Sequence, residues 1–147
     1  MNATLKFAAA ALCGMLLGIP AVQADEDFPS TSLYIELGTT EGEYLAFPHD
    51  LNLQVGELYR LVITNPSPDL HLLIAPEFGD TVLTTGASRR PARGDLRYAS
   101  MESGIAVRPG EMVELYFVPF KEGRYKLFCE ERTHTAGGME ISVDVTL

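Results

Sequence analysis

From Leu33 onward, short apolar runs recur along the chain, and in several of them apolar and polar positions alternate. The longest regular case is Met139-Glu-Ile-Ser-Val-Asp-Val-Thr-Leu147, where every second residue is apolar, as in a strand with one buried face. Runs rich in β-branched and aromatic residues predict further strands over Leu33–Leu37, Glu43–Phe47, Leu51–Val55, Leu58–Thr64 and Leu70–Ala75. Others follow at Gly104–Arg108, Glu111–Val118, Arg124–Phe128 and Glu140–Leu147. Gly38, Val55-Gly56-Glu57, Asn65-Pro-Ser-Pro68, Pro109-Gly110 and Lys121-Glu-Gly123 separate them; Pro109-Gly110 suits a tight turn, with proline presetting φ and glycine accepting a positive one. No run keeps a helical period over three turns. Many short strands with regular turns predict an all-β sandwich or barrel. The exception is Thr84 to Ser103, rich in Arg, Gly, Ala and Ser, which reads as a long surface excursion. It holds Arg89, Arg90, Arg93 and Arg97, a local basic patch that serves either docking or solvation.

The first 24 residues carry a different pattern. Lys6 precedes an apolar stretch from Phe7 to Ile19, Pro20 breaks it, and Val22-Gln23-Ala24 supplies small residues for cleavage. This predicts a signal peptide over 1–24 and a mature domain over 25–147, exported to the periplasm as a soluble protein; retained anchoring is the alternative. No later stretch approaches the roughly 20 apolar residues that a spanning helix needs. The mature part, 123 residues (147 less 24), suffices for one domain with a real core. The leader takes one of the 11 basic residues and none of the 20 acidic ones, leaving a formal charge of −10. That balance argues against nucleic acid and anionic lipid as partners.

Cleavage also changes the cysteine arithmetic. Cys13 leaves with the leader, so Cys129 remains without an intramolecular partner in a compartment that favours disulfides. Such a cysteine suggests an intermolecular bridge, a reactive thiol or a metal ligand. Its neighbours favour the last. Cys129, His134 and Met139 follow one another at steps of five residues, and His71 opens an apolar run far upstream. Two His, one Cys and a weak Met form the donor set of a blue-copper centre. Gly137-Gly138, just before Met139, permits the close backbone approach and positive φ that a tight return needs. Taken singly, His71 is an ordinary half-buried histidine, His134 a loop residue and Met139 a core residue; the pattern of the four carries the inference. His49, in Phe47-Pro-His-Asp50, reads as a turn residue.

The ligand loop Cys-x4-His-x4-Met, after a strand ending Tyr-x-x-Phe-Cys and before a final strand, resembles that of the cupredoxins, the small blue-copper proteins. The resemblance covers roughly Leu45 to Leu147 and includes Leu61-Val-Ile-Thr-Asn-Pro leading to His71 and Val107-Arg-Pro-Gly-Glu111. It implies a Greek-key β-sandwich holding one copper ion, with His71, Cys129 and His134 as equatorial ligands and Met139 axial. It also implies that His134 is the solvent-edge conduit for electrons. Two positions depart from the family pattern. Leu72 stands where many cupredoxins carry an Asn that ties the two ligand-bearing segments together, and Glu130-Glu131-Arg132 puts three charges into the loop.

The implied function is a one-electron carrier cycling Cu(I)/Cu(II), whose partner is a redox protein; the acidic balance would suit a basic-surfaced one. The alternative is a periplasmic copper protein of homeostasis, resistance or delivery, with a copper acceptor as partner; a third is a partner-binding β module without redox duty. Structural zinc would want four Cys or His ligands. A Cys129–His134 nucleophile pair lacks both a helix N-terminus to activate the thiol and a group to orient the imidazole, so no enzyme is expected.

Overall fold

The computed structural model describes residues 29–90 and 99–147. The predicted leader, Arg93 and Arg97 lie outside the described residues. Among the described residues, no helix is long and apolar enough to cross a membrane.

Among the described residues, eleven strands and two short helices follow in chain order: β1 (Thr31–Leu37), β2 (Ala46–Phe47), β3 (Asp50–Gln54), β4 (Tyr59–Thr64), β5 (His71–Ile74), α1 (Pro76–Gly79) and β6 (Val82–Arg90). After these come β7 (Ala99–Ser100), β8 (Gly104–Val107), β9 (Met112–Pro119), β10 (Gly123–Cys129), α2 (Arg132–Gly137) and β11 (Glu140–Thr146). They form two mixed sheets, ordered β2-β1-β4-β9-β6 and β3-β11-β10-β5-β8-β7. Strands distant in sequence lie side by side in both, and the pairs β1–β4 and β3–β11 are parallel among otherwise antiparallel neighbours. The expected all-β sandwich is the observed architecture.

The alternation seen in the sequence fills the space between the sheets. Ile35 and Leu37 of β1, Val113, Leu115 and Phe117 of β9, and Ile141, Val143 and Val145 of β11 all point into one core. Fully burying a side chain of this size is worth about 1.5–3 kcal/mol relative to exposure. Pro109-Gly110 forms the expected tight turn, with Gly110 at φ 70°.

Three expectations need correction. The stretch from Thr84 is no surface excursion, because β6 continues to Arg90 and pairs along β9 from Val82↔Pro119 to Arg90↔Met112, with an irregularity between Thr84 and Gly86. Arg89 is therefore no part of an exposed basic patch: its side chain is buried and ion-paired with buried Glu111. The strand expected over Glu43–Phe47 shrinks to the two residues of β2, since Thr39–Glu43 bonds to itself in a turn (Gly42 N–H to Thr39 O, 3.0 Å) and occupies the chain before it. Finally, a helix sits inside the ligand loop, where no helix was expected; at six residues it is too short to show a period.

Candidate metal centre

Sheet register alone brings the first two donors together. β5 and β10 run antiparallel with Cys129 opposite Leu73, and the Glu130 N–H extends the ladder to Leu72 O at 2.8 Å. His71 lies two residues before Leu73 and so points to the same inward face as Cys129. His71 has no exposed surface and Cys129 almost none.

The third donor depends on the loop. Glu131 caps α2, its side chain accepting from the Thr133 N–H, and Gly138 ends it at φ 114°. The Met139 N–H then donates to His134 O at 3.1 Å, and the Cys129 N–H donates to Met139 O, also at 3.1 Å. Thr135 Oγ1 donates to Cys129 O as well. Backbone bonds thus link Cys129, Met139 and His134 in succession, and the loop closes on itself.

The donor atoms of His71, Cys129 and His134 all lie within 4.8 Å of one another. The Nδ1 atoms of His71 and His134 are 3.2 Å apart, and Cys129 Sγ is 3.5 Å from His134 Nδ1. A first-row ion such as zinc binds imidazole nitrogen at about 2.0–2.1 Å and thiolate at about 2.3 Å. Edges of 3.2 and 3.5 Å are what one ion at such distances subtends at angles near the tetrahedral value, so the triad has the size of a single metal ion. Met139 is fully buried and bonded through its backbone to both other loop donors. His49 is exposed in the bend between β2 and β3, and the His71–Cys129–His134 triad is the single such donor group among the described residues.

Three residues outside the predicted set complete the site. Ser67 Oγ lies 2.7 Å from His71 Nε2 and 2.7 Å from Asn65 Oδ1. Asn65 Nδ2 donates to Asp69 O and Val107 O, while its backbone exchanges bonds with Glu111 O and the Gly110 N–H. This buried hub ties the His71 segment to the turn before β9. Asn and Ser flanking prolines are turn formers that bond to nearby backbone, and that chemistry was the available signal.

The third is Tyr44. Its ring stacks on His134 with centroids 3.9 Å apart and planes 22° from parallel, and its hydroxyl reaches Asp69 Oδ2 at 3.4 Å. The expected solvent edge of His134 is therefore covered, and the histidine is only 8% exposed. The two glycines have separate duties. A Cβ on Gly137 would stand 2.8 Å from Tyr44 Cβ and 3.0 Å from Tyr44 O, so only glycine admits this approach, while Gly138 supplies the left-handed turn. Burial, and then the neighbouring His134, hold the His71 pKa below its ordinary value, with Asp69 pulling weakly the other way. His71 is thus held neutral, the state in which it can be a ligand.

No family model and no curated protein sequence matches the chain. Solved structures do. The McoA multicopper oxidase of the hyperthermophile Aquifex aeolicus superposes with a TM-score of 0.62 at 15% identity, over 82% of this chain and 30% of that one. Dithionite-reduced auracyanin from Roseiflexus castenholzii superposes at 0.55 and 17% identity, over 80% of this chain and 98% of auracyanin. This chain has the cupredoxin fold. The copper-containing nitrite reductase of Thermus scotoductus also matches, at 0.56 and 14% identity, over 80% of this chain and 31% of the reductase. The chain thus corresponds to about a third of the length of the oxidase and reductase chains, and to nearly all of auracyanin. In this cupredoxin frame, β5, β10 and α2 bring together a His–Cys–His group compatible with a type 1 copper protein.

Proposed function

We propose that this cupredoxin is an exported type 1 copper protein that carries single electrons, with His71, Cys129 and His134 as the close ligands and Met139 as the weak axial one. The convergence of three buried donors on one ion-sized space carries the reading. Bound copper would supply a one-electron Cu(I)/Cu(II) couple; soft sulfur favours the reduced ion and imidazole suits both. The chain's own contribution is constraint and exclusion of water. Sheet register fixes His71 against Cys129, backbone bonds fix His134 and Met139 to Cys129, and Tyr44 closes the remaining side. A site so held rearranges little when its charge changes, which suits fast electron transfer.

The proposed location is the periplasm, after cleavage behind Ala24. The acidic balance, with Glu130 and Glu131 exposed beside Cys129, supports a basic-surfaced redox partner rather than a substrate, and the proposal includes no enzymatic activity. Those exposed charges equally favour one competing role, delivery of copper to an acceptor protein. Voltammetry of the copper-loaded protein separates the two. Reversible cycling without loss of metal over many scans supports the carrier, whereas release of Cu(I) to a competing chelator within the same experiment supports delivery.

A further inference from the structure

The His71 side of the centre has a feature that the ligand assignment does not use. Asn65 is buried, and both of its amide hydrogens are committed, Nδ2 donating to Asp69 O at 2.7 Å and Val107 O at 2.9 Å. A flipped amide would set Oδ1 against those two carbonyl oxygens, so its orientation is fixed. Oδ1 can only accept, and it receives the Ser67 N–H at 2.9 Å. The remaining contact, Ser67 Oγ to Asn65 Oδ1 at 2.7 Å, needs a proton, and only the serine hydroxyl has one to give. The other acceptor in reach, Asp69 O, lies farther off at 3.4 Å; with its single hydrogen spent on Asn65, Ser67 Oγ accepts from the Asp69 N–H at 3.3 Å and from His71 Nε2 at 2.7 Å.

We infer that Ser67 and Asn65 are positioning residues that hold His71 as the tautomer protonated at Nε2, so that its Nδ1 lone pair already faces Cys129 and His134 before any metal arrives. The opposite tautomer would leave two acceptors 2.7 Å apart with no hydrogen between them, in a place without solvent where such a pair is strongly disfavoured. The 3.2 Å contact between the two Nδ1 atoms then takes its proton from His134. In the metal-free centre the two Nδ1 atoms therefore play opposite roles: that of His71 is a free lone pair ready to ligate, and that of His134 carries the shared proton, which must leave Nδ1 before it can ligate.

The inference rests on the reading of His71 as a ligand only for its purpose, since the tautomer itself is a property of the metal-free chain. The test is nitrogen-15 NMR of the imidazoles at neutral pH, without added metal. The expected result is a His71 pyrrole-type Nε2 and pyridine-type Nδ1, with a pyrrole-type Nδ1 at His134. A His71 protonated at Nδ1 overturns the inference. In Ser67→Ala the His71 preference should be lost and Cu(I) affinity should fall about 10- to 100-fold, the usual effect of removing a partner behind a ligand. An unchanged tautomer in a folded Ser67→Ala overturns it as well; should that variant not fold, the wild-type spectrum decides. Locked tautomers in a chain that fails to bind copper would sink the ligand assignment and leave the lock standing.

Discussion

His71 stands on a strand inside the six-stranded sheet, with no exposed surface, and a chain of buried hydrogen bonds through Ser67 and Asn65 holds it from behind. His134 stands on a six-residue helix in a loop, bonded to its neighbours chiefly through backbone and covered by the face of one tyrosine. One half of the centre is thus built by tertiary structure and the other by local geometry. The difference teaches where each half is vulnerable. The upstream half is coupled to global stability through the Glu111 backbone, and Glu111 itself pairs with buried Arg89. The loop half depends on glycines and one aromatic contact, so it can be disturbed while the sandwich stays folded.

The largest effect should come from the centre where the halves meet. Cys129→Ser should abolish the thiolate charge-transfer band of the copper-loaded protein and leave far-ultraviolet circular dichroism unchanged. A variant that kept the colour would remove Cys129 from the ligand set.

Next in size is the brace of the upstream half. Glu111→Gln leaves Arg89 buried without a counter-charge, which costs on the order of 3–5 kcal/mol in urea unfolding. The pH dependence follows. Burial pushes the Glu111 carboxyl up, but the Arg108 amide and the Arg89 guanidinium outweigh it and hold its pKa below the ordinary 4.5. A depressed folded-state pKa contributes stability above the unfolded value, lost as pH falls through the folded one. Wild type should therefore lose stability below about pH 4.5 along a limb that Glu111→Gln flattens. Equal acid limbs in the two proteins would locate the acid sensitivity elsewhere.

Gly137→Ala tests the loop half. The added methyl must displace Tyr44, with an overpacking cost of about 1–3 kcal/mol. Its mark should be selective: the His134 imidazole resonances shift, while those of His71 stay in place. Movement of both would mean that the halves are not separable. Smallest is Tyr44→Phe, which keeps the stack and loses only the 3.4 Å contact to Asp69, for well under about 1 kcal/mol in thermal unfolding. A larger loss would assign the tyrosine hydroxyl a role that its geometry does not support.

The same division explains what could be read from the chain alone. The strands of the core were legible because alternation is a local signal, as in Ile141, Val143 and Val145, and the ligand loop was legible because its spacing is local too. β6 was not: its run Thr84-Thr-Gly-Ala-Ser88 has almost no apolar positions, since it lies at a sheet edge and draws its order from pairing with β9. Arg89 resembled a solvated charge because its partner lies 22 residues away. Tyr44 and Ser67 were missed for the same physical reason. A ring above an imidazole and a hydroxyl behind one arise from tertiary packing, and neither leaves a period in the sequence.

The most direct test of the central claim is a visible absorption and EPR spectrum of the protein with one equivalent of Cu(II). Intense red-region absorption with narrow copper hyperfine splitting is the expected result, and it would establish thiolate ligation by Cys129 in a type 1 site. A pale spectrum with ordinary wide splitting, or copper left unbound, would contradict it.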